Sequence, residues 1–135
     1  MPRIFKETYR LLSPGGLMIH ADLPPFDLMD PFTQFILDNE INERFGTRGG
    51  KVGMIVQGGT YNTLIRALNR LGLADLYGET EIDLLVLNCV YPLVESQITD
   101  FCVGKEAVLI VEEGQPNYIE QQIAHMLYKS GARVK

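Results

Sequence analysis

Two cysteines and two histidines are all that the 135 residues contain, and this scarcity removes several kinds of chemistry. Cys89 and Cys102 lack the C-x-x-C spacing of a redox or metal-binding pair and have no histidine-rich neighbourhood, so neither zinc binding nor dithiol chemistry is suggested. Reduced, buried thiols are expected instead. Basic residues are also in deficit: 12 Lys and Arg stand against 17 Asp and Glu, giving a net charge of -5 and a pI near 5.0. Without clustered cations to displace phosphate counterions, no nucleic-acid partner is expected. No apolar run approaches the roughly 20 residues that a membrane span requires, and no apolar signal core follows Met1, so the reading is cytoplasmic, with no membrane partner. The G-x-G-x-x-G, G-x-x-x-x-G-K-[ST] and G-x-S-x-G patterns are missing too, which leaves no signature for a dinucleotide, a nucleoside triphosphate or a serine nucleophile.

What is present is an alternation of helical and strand patterns. From Pro2 to Leu12 the apolar residues recur at mostly helical spacing, and Ser13-Pro14-Gly15-Gly16 ends the element. Leu17–Ala21 reads as a buried strand bounded by glycine and by Pro24-Pro25. Asp30 before Pro31 fits a helix start, and Phe32, Phe35, Ile36, Ile41 and Phe45 extend an apolar face to Gly46. Beyond Lys51 the pattern predicts a strand at Val52–Val56, a helix with Leu64, Ile65, Leu68 and Leu71 in one stripe, and a strand from Asp83 to Val90. That second strand is almost wholly aliphatic, as a parallel strand covered on both faces must be. A helix around Val94, Ile98 and Phe101, a strand at Ala107–Val111 and a helix from Tyr118 to Leu127 complete the chain. Such alternation implies a three-layer α/β/α sandwich with about four mainly parallel strands, flavodoxin-like, formed by residues 1–135 as a single domain.

The candidate sites lie where strands meet helices. Gly58, Gly59 and Thr60 follow a strand and open a helix, a position where free backbone N–H groups and the helix dipole can hold an anion weakly; a tight structural turn explains them equally well. Glu112, Glu113 and Gln115 stand at the carboxyl end of another strand, the edge at which α/β sheets bind ligands. Consecutive strand residues point to opposite faces, so Glu112 and Glu113 do not make an acid–base pair, and solvated charges or a subunit contact explain them. Glu113 and Gln115 therefore join the glycine turn as candidate binding residues, and a crystal-bound sulfate is expected there or at Gly114–Asn117. His20 and Asp22 share a strand face, and His125 lies on a helix without a carboxylate at i+4, so no catalytic residue, metal site or resident cofactor is assigned. Tyr9, Phe32, Phe35, Phe101 and Tyr118 fall at helical core positions and are expected to be buried.

Two stretches carry resemblances. The segments KVGMIVQGGTYNTLIRALNRLGLAD and LLVLNCVYPLVESQITDFCVGKEAVLIVEEGQPNYIEQQI resemble part of the indolepyruvate and related 2-oxoacid:ferredoxin oxidoreductases, over residues 51 to about 127. The combination of IVQGGTYNTL, YPL and VEEGQP is the restrictive part. The resemblance implies a transketolase-C-terminal-like domain that stands beside the thiamine diphosphate domains and holds neither the thiamine nor the iron–sulfur clusters. Residues 3 to 42, through KETYRLLSPGGLMIHADLPP and DPFTQFILDNE, are similar instead to a segment following the cofactor pocket of class I SAM-dependent methyltransferases, without the glycine-rich loop that holds SAM. Two families joined between Asn42 and Lys51 imply a chimera, engineered or rearranged. The combined reading is a non-catalytic α/β domain derived from such an oxidoreductase. Its alternatives are a component active only with thiamine diphosphate and iron–sulfur domains, and a truncated methyltransferase. Other domains of an oxidoreductase, or a second copy, are the partners compatible with it.

If residues 1–45 belong to the same sandwich, their removal must be costly. Each large apolar side chain contributes about 1.5–3 kcal/mol when fully buried, against the roughly 5–15 kcal/mol that holds a typical domain. Denaturant melts of residues 46–135 alone are expected to show a marked loss of stability or of cooperativity relative to the full chain. An equally stable monomeric fragment would make the first 45 residues an appendage.

Overall fold

The structure is a computed structural model describing residues 26–114, 116–131 and 134, with the backbone alone for 26–30. The elements predicted at Pro2–Leu12 and Leu17–Ala21 lie outside the described residues. In chain order these form α1 (Phe26–Asp38), β1 (Glu43–Phe45), β2 (Val52–Gln57), a single 3₁₀ turn (Gly58–Thr60), α2 (Tyr61–Arg70), β3 (Asp83–Leu87), α3 (Glu95–Cys102), β4 (Ala107–Val111) and α4 (Tyr118–Ser130).

The four strands form one sheet in the order β1-β3-β2-β4. β2 pairs in parallel with β3 and β4, whereas β1 runs antiparallel along the outer side of β3, with Arg44 opposite Leu85. All five residues of β3 are buried, as its near-continuous aliphatic sequence requires of a strand flanked on both sides and covered on both faces. Side chains alternate between the two faces. Ile55, Leu85 and Leu87 form the main core with Ile98, Phe101 and Cys102 of α3 and Ile119 and Ile123 of α4. Phe45, opposite Leu84 in the ladder, reaches the other face, where its ring lies 5.2 Å from that of Tyr61 in α2. The result is the predicted α/β/α layering.

The sequence pattern misplaced two features. The helix expected to run from Asp30 to Phe45 begins at Phe26, contains Pro31 and ends at Asp38. Glu40 then adopts φ 48°, turning the chain so that Glu43–Phe45 becomes a strand. Ile41 and Phe45 matched a helical period by coincidence. Of the aromatic residues expected in the core, Phe101 is buried but Phe32, Phe35 and Tyr118 are exposed, and Tyr9 lies outside the described residues. Tyr118 is the first residue of α4, and it is Ile119 and Ile123 that carry that helix onto the sheet. On α1 the inward residue is Ile36.

At the amino ends of the parallel strands sits a buried charge cluster. Asp83 is 0% exposed and accepts a bidentate pair from Arg44, Nε to Oδ1 at 2.8 Å and Nη2 to Oδ2 at 2.6 Å. Lys105 Nζ donates to the same Oδ2 at 2.7 Å and to the Gly50 carbonyl at 3.2 Å, and the Gly49 N–H reaches Oδ2 at 3.3 Å. Both cations also lie over the Phe101 ring, Arg44 at 5.1 Å and Lys105 at 4.7 Å from its centre, where the negative π face offsets part of their charge. Gly53 makes room for this arrangement: a Cβ there would stand 2.6 Å from Lys105 Cε and 2.8 Å from the Phe101 ring.

Burial alone would raise the Asp83 pKa, but the hydrogen bonds and charges of Arg44 and Lys105 outweigh it and hold the carboxyl below its ordinary value. A depressed carboxylate pKa stabilises the fold above the unfolded value of about 3.9, and that contribution is lost as the pH falls through the folded value. Asp83→Asn, which leaves two cations facing a neutral amide, is expected to cost about 3–5 kcal/mol at neutral pH. In urea melts repeated at decreasing pH, the gap between the wild type and this variant should narrow below about pH 4. A pH-independent gap would show that the carboxylate charge is not what the cluster needs.

Candidate functional site

In an open parallel sheet the ligand crevice forms at the carboxyl ends of the strands where the strand order reverses. Here the chain moves from β2 outward to β3, then returns to place β4 on the other side of β2, so the reversal falls between β2 and β4. The sequence-nominated residues Gly58, Gly59 and Thr60 follow β2, and Glu113 follows β4, so both groups lie at that point. Gln115 lies outside the described residues.

The geometry engages several of these groups in local bonds and packing. Gln57, the last residue of β2, uses its side-chain Oε1 to accept the Glu113 N–H at 2.9 Å, tying the two loops together across the crevice. Thr60 Oγ1 donates to the Gln57 carbonyl at 2.8 Å and closes the 3₁₀ turn. Gly58 has Asn88 against it: an added Cβ would be 2.5 Å from Asn88 Oδ1. Asn88 in turn donates through Nδ2 to the Ile41 carbonyl at 2.9 Å and to Glu43 Oε2 at 2.8 Å. Asn42 continues the chain, accepting the Cys89 N–H at 2.9 Å and donating to Gln97 Oε1 at 2.9 Å. The polar side chains at the strand ends thus have partners in the local backbone, Glu43 and Gln97, while Gly59, Asn88 and Glu113 remain exposed.

Beside β4 there is an open cavity of ≈ 680 Å³, with Glu112, Gly114, Asn117 and Glu120 on its wall. Glu112 Oε2 accepts the Ile119 N–H at 2.8 Å and so caps the first turn of α4 from seven residues upstream. Its Oε1 is buried without a hydrogen-bond partner among the described residues. Asn117 bonds Glu120 and accepts from Gln121. Two carboxylates on the wall give this cavity the character of a hydrogen-bond acceptor.

The remaining reactive groups are quiet. Burial, with the charges of Glu43 and Glu79, raises the pKa of the Tyr61 phenol. Burial also raises that of the Cys102 thiol, against the opposing charge of Lys105. Both cysteines are free, and Cys89 Sγ donates to the Tyr91 carbonyl at 3.2 Å. His125 is exposed on α4, and His20 and Asp22 lie outside the described residues. Among the described residues no group of three His, Cys, Asp or Glu side chains could hold a metal ion. Sequence reasoning missed Gln57, Asn88 and Asn42. Gln57 and Asn88 each stand immediately after an apolar strand run, which is the one sequence feature they share.

The layering, strand order and switch-point crevice define a doubly wound α/β domain. Residues 42–135 match the indolepyruvate oxidoreductase domain family, and the chain belongs to that family. It is 32% identical over 80 residues to indolepyruvate oxidoreductase subunit IorA of Methanothermobacter thermautotrophicus, covering 58% of this chain and 12% of that protein. With the IorA subunit of Thermococcus kodakarensis it shares 34% identity over 89 residues, 66% of this chain and 13% of that one. The chain therefore spans about an eighth of the length of the curated relatives it matches. No solved structure matches it. The family match starts at Asn42, so it takes in β1 and the 46–51 turn.

A substitution separates the two glycines of the turn. Gly58→Ala must displace Asn88 and its two hydrogen bonds, at an expected cost of about 1–3 kcal/mol. Gly59→Ala meets nothing within 4 Å and should be close to neutral. Denaturant midpoints of the two variants check this, and equal effects would remove the packing role assigned to Gly58.

Proposed function

We propose that this chain is a non-catalytic domain of an indolepyruvate-type 2-oxoacid:ferredoxin oxidoreductase, which helps to build an enzyme whose reaction takes place on other domains. The observation that carries the reading is the hydrogen bonding of the strand ends: Gln57 and Thr60 bond the local backbone, Asn88 bonds the Ile41 carbonyl and Glu43, and Asn42 bonds the Cys89 N–H and Gln97. The resemblance implies thiamine diphosphate and iron–sulfur clusters elsewhere in such an enzyme. The residues present do not suit either group. A cubane cluster takes four cysteine thiolates, and the chain has two cysteines, one of them buried in the core. The divalent cation that accompanies a diphosphate needs several oxygen ligands, and the described residues gather no such set.

The Gly58-Gly59-Thr60 turn, with Glu113 opposite, serves on this reading as a loop contact that takes up an inorganic anion weakly at most. Glu112, Glu113 and Glu120 nearby oppose anything stronger. Residues 3–42 are assigned the same supporting role, and their methyltransferase-like pattern makes SAM the natural probe of a chimeric origin.

Calorimetry on the isolated chain with thiamine diphosphate plus magnesium, and separately with SAM, is expected to give no binding heat. A dissociation constant near 1 μM, equivalent to about 8 kcal/mol, would overturn the proposal. For thiamine diphosphate it would make the domain part of the active site. For SAM it would favour the truncated methyltransferase.

A further inference from the structure

α1 and β1 are held to the sheet differently from the other elements. The main hydrophobic cluster draws its residues from Ile55 onward and takes none from α1 or β1. On α1 Ile36 is buried, but Phe32 and Phe35 are more than half exposed. What ties this segment down is chiefly polar. Arg44 bonds Asp83 at one end of the sheet, while at the other Asn42 bonds Gln97 and the Cys89 N–H, and Asn88 bonds the Ile41 carbonyl and Glu43. A three-residue ladder with β3 and the Phe45 ring against Tyr61 complete the attachment. Exposing an apolar core forfeits the whole gain of its burial, whereas a polar bond broken into water is largely replaced by bonds to water. Residues 26–45 are therefore the part of the described fold that can leave at the least cost.

The charge cluster makes that departure reversible. Arg44 and Lys105 both bond Asp83 Oδ2, so their mutual repulsion works against the contact that holds β1. When Arg44 leaves, Asp83 keeps Lys105 and the Gly49 N–H, and Lys105 keeps the Gly50 carbonyl. The guanidinium, whose side chain is already 28% exposed, passes into water. One cation then faces one anion, and no charge is stranded in the interior, which is the main cost of breaking a buried ion pair. Because Gly49 and Gly50 stay tied to the cluster, the pivot falls at residues 46–48, all three of them exposed.

We infer that residues 26–45 form a latched flap: α1 and β1 swing away from β3 as one unit while β2, β3 and β4 stay folded, and the bond between Arg44 and Asp83 is the latch. Opening uncovers the outer edge of β3 and the ring of Tyr61 that Phe45 covers. The inference does not depend on the proposed oxidoreductase role.

The test is native-state hydrogen exchange of the full chain, followed amide by amide by NMR in increasing, sub-denaturing urea. Amides bonded between β1 and β3 are expected to exchange faster than those bonded between β2 and β4, and with a weaker dependence on urea, because the opening exposes little surface. Arg44→Gln removes the latch and leaves Asp83 balanced by Lys105. It should speed exchange in the β1–β3 ladder roughly ten- to a hundredfold and leave the β2–β4 ladder unchanged. Lys105→Met acts in the opposite direction, since opening would then leave Asp83 buried without a cation, and the same amides should slow relative to the β2–β4 ladder. Simple fraying of an edge strand gives no such reversal. Arg66→Gln, at an exposed position on α2, should change neither ladder. A β1–β3 ladder that exchanges only together with β2–β4, an Arg44→Gln chain that does not fold, or two cluster substitutions acting in the same direction would overturn the inference.

Discussion

One carboxylate organises the amino-terminal end of the sheet. Asp83 holds Arg44 of β1 and Lys105 of the turn before β4, and through the Gly49 N–H and the lysine bond to Gly50 it also fixes the 46–51 turn that leads into β2. β1 with the turn after it, and the turn before β4, are thus tied to one side chain of β3. Two cations against one anion leave a surplus positive charge, which would be prohibitive in a dry interior. Phe101 offsets part of it with its ring face, and the arginine keeps 28% of its side chain in contact with water. The cluster also explains how a three-residue antiparallel strand holds its place on an otherwise parallel sheet: Arg44 anchors β1 by its middle residue.

The two ends of the sheet are fixed by different chemistry. Charge holds the amino end, whereas neutral amides hold the carboxyl end, where Asn42, Gln57 and Asn88 bridge β1, β3, β4 and α3. Neutral amides suit a crevice already bordered by Glu43, Glu112, Glu113 and Glu120, since they add bonds without adding to the repulsion. A sheet pinned at both ends is a stiff frame.

The parallel part of the fold was legible in the sequence because period and length agreed with it. Val52–Val56, Ala107–Val111 and the helices after them are short apolar runs and amphipathic segments with glycine and proline between them. β1 was not legible, since Glu-Arg-Phe has too few residues to show a period and follows a helix whose pattern it happens to continue. What makes it a strand is Arg44 meeting Asp83, a contact between residues 39 apart in sequence. The strand ends could be located from the glycine turn and the Glu112-Glu113 pair. The hydrogen bonds made there by Gln57, Asn88 and Asn42 could not, because each joins residues that only the fold brings together. Asp83 at the head of an aliphatic run was the one charge whose position hinted at burial.

Among the described residues β4 has a single neighbour in the sheet, and no strand pairs along its outer side. Its sequence, Ala-Val-Leu-Ile-Val, carries no charge and no proline, and Leu109 is half exposed, which together make the kind of segment that recruits other strands into aggregates. Glu106 precedes it, and Glu112 and Glu113 follow. Carboxylates flanking an apolar strand act as gatekeepers, because stacking copies of the segment would bring like charges into register. The glutamates at the strand end, read first as a candidate ligand site, also supply that flanking charge at the strand's carboxyl end.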